Sequence, residues 1–104
     1  MEWIFIFIAG LFEVAWAIGL KYTEGWTKTV PIIWTVTAMI LSFYFLSKGL
    51  KVIPVGTGYA VWTGIGAAGT AMLGIFLFNE SKDIGRLFFI FLIIVGIVGL
   101  KLKS

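Results

Sequence analysis

The chain has 104 residues, of which 61% are hydrophobic and 12% charged, and its mean hydropathy of +1.08 indicates an integral membrane protein rather than a water-soluble domain. Its net charge is +3, but the eight basic residues are spread along the chain, which argues against binding of nucleic acid. Cysteine and histidine are absent, so disulfides, thiol or imidazole catalysis, zinc sites and haem ligation are excluded, and no metal or cofactor is expected.

Four apolar runs predict four membrane-spanning helices, because lipid offers polar backbone groups no other partner. The predicted spans are residues 3–20, 30–47, 57–78 and 84–102. The last has a short uncharged centre, so the basic side chains at its two ends must extend to the membrane surfaces. The connecting segments are too short for a soluble domain, and a single transmembrane domain covering residues 1–104 is expected. The first run lacks a preceding basic region, which favours a retained helix over a signal peptide.

The basic residues are balanced between the two membrane surfaces. With four spans both termini share a side, which carries four basic residues, and the opposite side also carries four. The former are Lys48, Lys51, Lys101 and Lys103, and the latter are Lys21, Lys28, Lys82 and Arg86. The positive-inside rule therefore gives no preferred orientation. Two oppositely inserted copies would supply the inverted symmetry that many transporters use, although a chance balance explains the counts equally well.

Glu13 is an acidic residue near the middle of the first span, where a carboxylate costs at least about 2.5 kcal/mol on insertion scales. Such residues usually mark ion or proton pathways, so we interpret Glu13 as the functional centre. The structural alternative is a protonated side chain that bonds to a neighbouring helix. Gly10 and Trp16 share its helix face, and they combine close backbone approach with a large aromatic ring. This face is predicted to form a pocket wall.

Three polar or aromatic residues of the next two spans are candidates for the same site. Tyr59 and Trp62 share a helix face, and their rings attract cations while their hydroxyl and indole groups donate hydrogen bonds. An interfacial aromatic belt is the alternative, which suits Tyr59 better than the deeper Trp62. Ser42 could orient Glu13, or it could satisfy its hydroxyl on its own helix backbone.

Small residues predict where helices pack closely. Gly66, Thr70 and Gly74 recur every four residues in the third span, which favours close packing or a bend. The fourth span has no polar side chain between residues 87 and 100, so packing is the one role that its chemistry supports. We therefore assign it to a subunit interface that includes Gly96 and Gly99.

Several motifs together resemble the small multidrug resistance family. They are Glu-Val-Ala-Trp at 13–16, Gly-Leu-Lys at 19–21, Pro-Val-Gly-Thr at 54–57, Tyr-Ala-Val-Trp-Thr-Gly at 59–64 and Gly-Leu-Lys at 99–101. The likeness covers nearly the whole chain and is greatest to the guanidinium exporter subtype. Trp16 discriminates the subtypes, because the quaternary-ammonium exporters typically have a small residue three positions after the glutamate.

The resemblance implies an antiparallel, dual-topology homodimer that spans the bacterial inner membrane several times and exports guanidinium in exchange for protons. Glu13 of each copy would bind substrate and protons, and the fourth helix would hold the dimer together. The expected partners are guanidinium, protons, a second copy and the bilayer, without nucleic acid. The residues implied to line the site are Gly10, Trp16, Ser42, Tyr59 and Trp62.

Two other functions remain open at this point. One is a proton-coupled exporter of quaternary ammonium or other lipophilic cations that uses the same carboxylate in a looser pocket. The other is a small non-transporting membrane subunit in which Glu13 pairs with a basic residue of a partner. An enzyme is not expected, since a lone buried glutamate without metal ligands or a second acid offers no reaction.

Overall fold

The computed structural model describes residues 2–103, and over that range the chain forms four α-helices and no strand. They are α1 (Glu2–Tyr22), α2 (Thr29–Gly49), α3 (Val55–Leu77) and α4 (Ile84–Lys103). Each has 20 to 23 residues and is apolar enough to cross a membrane, with a length of about 30 to 35 Å. The expectation of an all-α integral membrane protein with four spanning helices is confirmed.

The helix starts follow from local chemistry. Pro54 directly precedes α3 and Pro31 lies in the first turn of α2, where a missing N–H removes no helical hydrogen bond. Asp83 precedes α4, and its Oδ1 accepts a hydrogen bond of 3.0 Å from the backbone N–H of Arg86. This is the arrangement of an N-terminal cap, which satisfies one of the free donors of the first turn.

The connection between α1 and α2 contains three consecutive residues with left-handed backbone. Glu24, Gly25 and Trp26 have φ values of 48°, 75° and 68°. Two of them are not glycine, so this conformation requires support from its surroundings. The buried Thr23 provides it, because its hydroxyl donates to the Leu20 carbonyl at 2.7 Å and accepts from the Trp26 N–H at 3.2 Å. The tight turn returns the chain directly against α1.

α1 is the central helix of the bundle and packs against both α2 and α3, whereas α4 packs mainly against α3. The buried core lies towards the end of the bundle that carries the termini. It consists of Ile6, Ala9, Leu46, Ile53, Val61 and Trp62. These core residues therefore leave the middle and the opposite end of the α1–α3 interface available for a functional site.

α4 is almost entirely exposed in the single chain. Of its residues 84–103, all of which the structure describes, Ile90 alone is buried. A Cβ built on Gly96 or Gly99 would meet no atom within 4 Å. The role of these two glycines in subunit packing stays a prediction, and the helix has an apolar surface available for it.

Candidate functional site

Glu13 lies in the middle of α1 and faces α3. Its side chain is buried, with 8% of the residue exposed. The carboxylate lies against Gly66, where a Cβ atom would overlap Oε2 and approach Cδ to 2.9 Å. Only glycine leaves room for the carboxylate at this position. Within residues 2–103, no side chain donates a hydrogen bond to Glu13 or forms an ion pair with it.

A cleft of about 570 Å³ extends from Glu13 between α1 and α3 to the connection between α3 and α4. Small residues form much of its α3 wall, namely Gly66, Ala67, Ala71 and Gly74. Trp16 lines the α1 wall, three residues after Glu13 and on the same helix face. The cleft therefore places one carboxylate and one large aromatic ring around a space that can hold a small cation.

Two further polar groups of the cleft are buried without a partner. Neither the indole Nε1 of Trp16 nor the hydroxyl of Thr70 has a hydrogen-bond partner among residues 2–103. An unpaired buried polar group costs about 1 to 3 kcal/mol, so both groups are suited to bind a ligand or a second protein surface. The indole can only donate, whereas the hydroxyl can donate and accept.

A chain of hydrogen bonds connects the three helices beside the cleft. The indole of Trp62 donates to the Ser42 hydroxyl at 2.8 Å, and Ser42 donates to the Ala9 carbonyl at 2.8 Å. The hydroxyl proton of Ser42 is thus directed to the backbone of α1. The Ser42 hydroxyl therefore bonds neither to Glu13 nor to its own helix, the two alternatives that the sequence leaves open, but to a neighbouring helix. Buried hydrogen bonds of this kind fix the relative positions of helices.

The other predicted site residues lie outside the single-chain cleft. Gly10 is buried against Ile65, whose Cγ2 would be 2.6 Å from a Cβ at that position. Tyr59 is 56% exposed, and its ring centroid is 5.4 Å from that of Trp62. The cleft therefore brings Glu13 and Trp16 together, and the remaining four lie near the three-helix hydrogen bonds or on an exposed face of α3. They are Gly10, Ser42, Tyr59 and Trp62.

The mouth of the cleft carries charged groups, and it opens on the membrane side that holds the α1–α2 and α3–α4 connections. The carboxylate of Glu80 lies against Gly74, where a Cβ would overlap Oε1 and approach Cδ to 2.8 Å. Nη2 of Arg86 is 2.8 Å from that oxygen. Across the mouth, the Lys21 Nζ lies 5.2 Å from the ring centroid of Phe78. The entrance thus combines one acidic and two basic side chains.

Thr70 and Glu80 line the cleft, although the sequence alone does not indicate them as site residues. Glu80 lies after the third predicted span, so in the sequence it resembles an ordinary loop acid. Its contact with Gly74 arises only because the chain folds back after α3. The four-residue spacing of Gly66, Thr70 and Gly74 was the available signal. This spacing marks the α3 wall of the cleft.

Comparison with known proteins agrees with this architecture. Residues 1–93 match the family model described as Small Multidrug Resistance protein. A protein of Proteus vulgaris named "Guanidinium exporter" is 55% identical over 104 residues, which cover 100% of both chains. Proteins of the same name from Salmonella typhimurium strain LT2 and Citrobacter freundii are 54% and 56% identical, over 100% of this chain and 99% of theirs.

Proposed function

Because the chain belongs to the small multidrug resistance family, we propose that it is a proton-coupled antiporter that exports guanidinium. It is a multi-pass protein of the bacterial inner membrane and a transporter rather than an enzyme. The full-length relatives named guanidinium exporters support guanidinium as the substrate. The observation that carries the mechanism is the buried carboxylate of Glu13, which lines the cleft without a basic partner among residues 2–103.

The chemistry of Glu13 suits a planar cation. Guanidinium presents parallel N–H donors that pair bidentately with a carboxylate, which a spherical ion cannot do. The ring of Trp16 offers a cation–π contact of about 0.5 to 2 kcal/mol, and the Thr70 hydroxyl can accept an N–H. The cleft therefore supplies charge, shape and a polar acceptor for the same ligand.

Guanidinium is exchanged for protons when both bind to the same carboxylate, that of Glu13. Ionised Glu13 accepts either a proton or a guanidinium ion, and each of them neutralises its charge. An ionised and empty carboxylate is costly inside the membrane, so a transporter that reorients must carry one ligand or the other. Guanidinium released on the outer side is replaced there by a proton, and the site carries this proton inward and releases it before it binds the next guanidinium ion, which couples export to the proton gradient.

The transporting unit that we propose is an antiparallel homodimer of oppositely inserted copies. The balanced basic residues support dual topology, and the exposed apolar face of α4 with Gly96 and Gly99 supports a partner. Tyr59 lies on an exposed face of α3 that a second copy can cover. The two Glu13 carboxylates would then share one site, lined also by Gly10, Trp16, Ser42, Tyr59 and Trp62.

The test is solid-supported-membrane electrophysiology of the reconstituted protein with guanidinium and with tetrapropylammonium, at two pH values. We expect currents with guanidinium, and none after Glu13→Gln. Glu24→Gln is the matched control, because Glu24 is an exposed loop acid 4.0 Å from Lys28. Larger currents with tetrapropylammonium would favour a lipophilic-cation exporter, and no current with either cation would favour a non-transporting subunit. Normal guanidinium currents in Glu13→Gln would reject the role of the carboxylate.

A further inference from the structure

The cleft between α1 and α3 holds a second carboxylate at its mouth. Glu80 lines the same cleft as Glu13, and each carboxylate lies against a glycine of α3 that makes room for it. Glu13 lies against Gly66 and Glu80 against Gly74. The two glycines are separated by about 12 Å along the helix axis. A cation that enters the cleft from the side of the α3–α4 connection therefore passes Glu80 before it reaches Glu13.

Glu80 already binds a guanidinium group in this structure, that of Arg86. Nη2 of Arg86 donates to Glu80 Oε1 at 2.8 Å and to the Ala71 carbonyl at 3.2 Å. The Arg86 side chain is chemically a substituted guanidinium ion. Both side chains are accessible to water, with 29% of Arg86 and 42% of Glu80 exposed. Ion pairs of such exposure contribute little net free energy, so another guanidinium ion can replace Arg86.

We propose that Glu80 is an outer docking site for guanidinium-type cations, at which the incoming cation replaces the Arg86 side chain before it moves inward to Glu13. This inference rests on the function proposed above. The replacement conserves charge on Glu80, since one guanidinium group leaves as another binds. Arg86 retains the Ala71 carbonyl as a hydrogen-bond acceptor.

The charges at the mouth explain why a docking carboxylate is needed. Lys21 lines the mouth, with its Nζ 5.2 Å from the Phe78 ring centroid, and Arg86 is the second cation there. Without the charge of Glu80, an approaching cation would meet Lys21 and Arg86 before it reached Glu13, the other carboxylate that lines the cleft. Charges of one sign at an entrance lower the local concentration of ions of that sign. Removing Glu80 should therefore weaken capture without altering the inner site.

A purely structural role of the Glu80–Arg86 ion pair makes a different prediction. If the pair serves to hold the start of α4 against α3, loss of either partner breaks the same link and has the same effect. If Glu80 is a docking site, the two losses have different effects, since only the loss of Glu80 weakens capture of the cation. Glu80→Gln removes the acceptor, whereas Arg86→Gln removes its competitor and leaves the carboxylate free.

The experiment measures guanidinium-evoked currents of reconstituted protein at low and at physiological ionic strength. We expect Glu80→Gln to raise KM about three- to tenfold with an unchanged maximal current, and Arg86→Gln to leave KM unchanged or lower it about threefold. The effect of Glu80→Gln should shrink with added salt, because exposed charges are screened. Glu24→Gln, an acid of the loop between α1 and α2, is the control and should behave as the unaltered protein.

Each other outcome overturns the docking site. An equal rise of KM in Glu80→Gln and Arg86→Gln would assign the pair a structural role. An unchanged KM in Glu80→Gln would show that the carboxylate does not capture the cation, and a loss of maximal current without a change of KM would place its role in folding. If the unaltered protein gave no guanidinium current, the proposed function itself would fail. Normal currents with an unaltered KM in the variants would instead reject the docking site alone.

Discussion

α1, α3 and α4 are all long and apolar enough to cross a membrane, yet the α1–α3 interface and α4 differ in what they enclose. α1 and α3 enclose a cleft with a buried carboxylate, glycines that admit carboxylates, and two polar groups that have no partner in the part of the chain that the structure describes. α4 has one buried residue, Ile90, and its two late glycines face open space. Hydropathy thus identifies which segments enter the membrane, whereas polar atoms and glycines between helices identify which of them hold ligands.

The largest effect on this comparison is expected from Gly66→Ala in the α3 wall. The new methyl group would overlap the Glu13 carboxylate, so the acid must move from its position against α3. We expect guanidinium transport to fall about tenfold or more, because displacement of a binding group by about 1 Å is costly. Gly56→Ala, also in α3 but with open space around it, is the control. Unimpaired transport in Gly66→Ala would show that this contact does not matter for function.

A weaker effect is expected from leucine at the exposed glycines of α4. A Cβ at Gly96 or Gly99 meets no atom within 4 Å in the single chain, so we expect Gly96→Leu and Gly99→Leu to leave the fold of the chain intact. If α4 is the subunit interface, the side chain should separate the helices and weaken the dimer about tenfold, or about 1.4 kcal/mol. Dimerisation measured by energy transfer in lipid vesicles tests this. Ile94→Leu on a different face of α4 is the control, and unchanged dimerisation in both glycine variants would place the interface elsewhere.

The hydrogen bonds between α1, α2 and α3 should contribute a smaller amount, to stability. Trp62→Phe keeps an aromatic ring but removes the indole N–H that donates to Ser42. We expect the free energy of unfolding to fall by about 1 kcal/mol, as for other hydrogen bonds between membrane helices. Trp26→Phe, in the exposed first loop, should change it less. Unfolding in mixed detergent measures both, and equal values for the two variants would contradict the structural role of this bond.

The smallest effect is expected at the start of α4. The hydrogen bond from the Arg86 N–H, with that from the Ser81 hydroxyl, holds the pKa of Asp83 below its usual range. A lowered pKa in the folded state means that the carboxylate stabilises the first turn above its ordinary pKa, and that this contribution disappears as the pH falls through the lowered value. Asp83→Ala should remove it at neutral pH. Faster amide exchange confined to the first turn would support this, and unchanged exchange would contradict it.

The fold followed from the sequence because each apolar run is long enough to require a helix in lipid. Glu13 and Trp16 could also be predicted, since an acidic residue within a span is costly and its neighbours three residues away share its face. The hydrogen bond from Ser42 to Ala9 could not, because its acceptor is a backbone carbonyl that carries no sequence signal. Glu80 could not either, because its place in the cleft arises from a chain reversal and from Arg86.

The hydrogen-bond chain from Trp62 through Ser42 to Ala9 also has a mechanical consequence, since it gives α3 a fixed point near one end of the cleft. Gly66 lies about 6 Å along α3 from this fulcrum, and Gly74 about 18 Å. A tilt of about 10° around the fulcrum would move Gly66 by about 1 Å and Gly74 by about 3 Å. The entrance can therefore widen by the thickness of a small planar cation while the glycine beside Glu13 moves about a third as far.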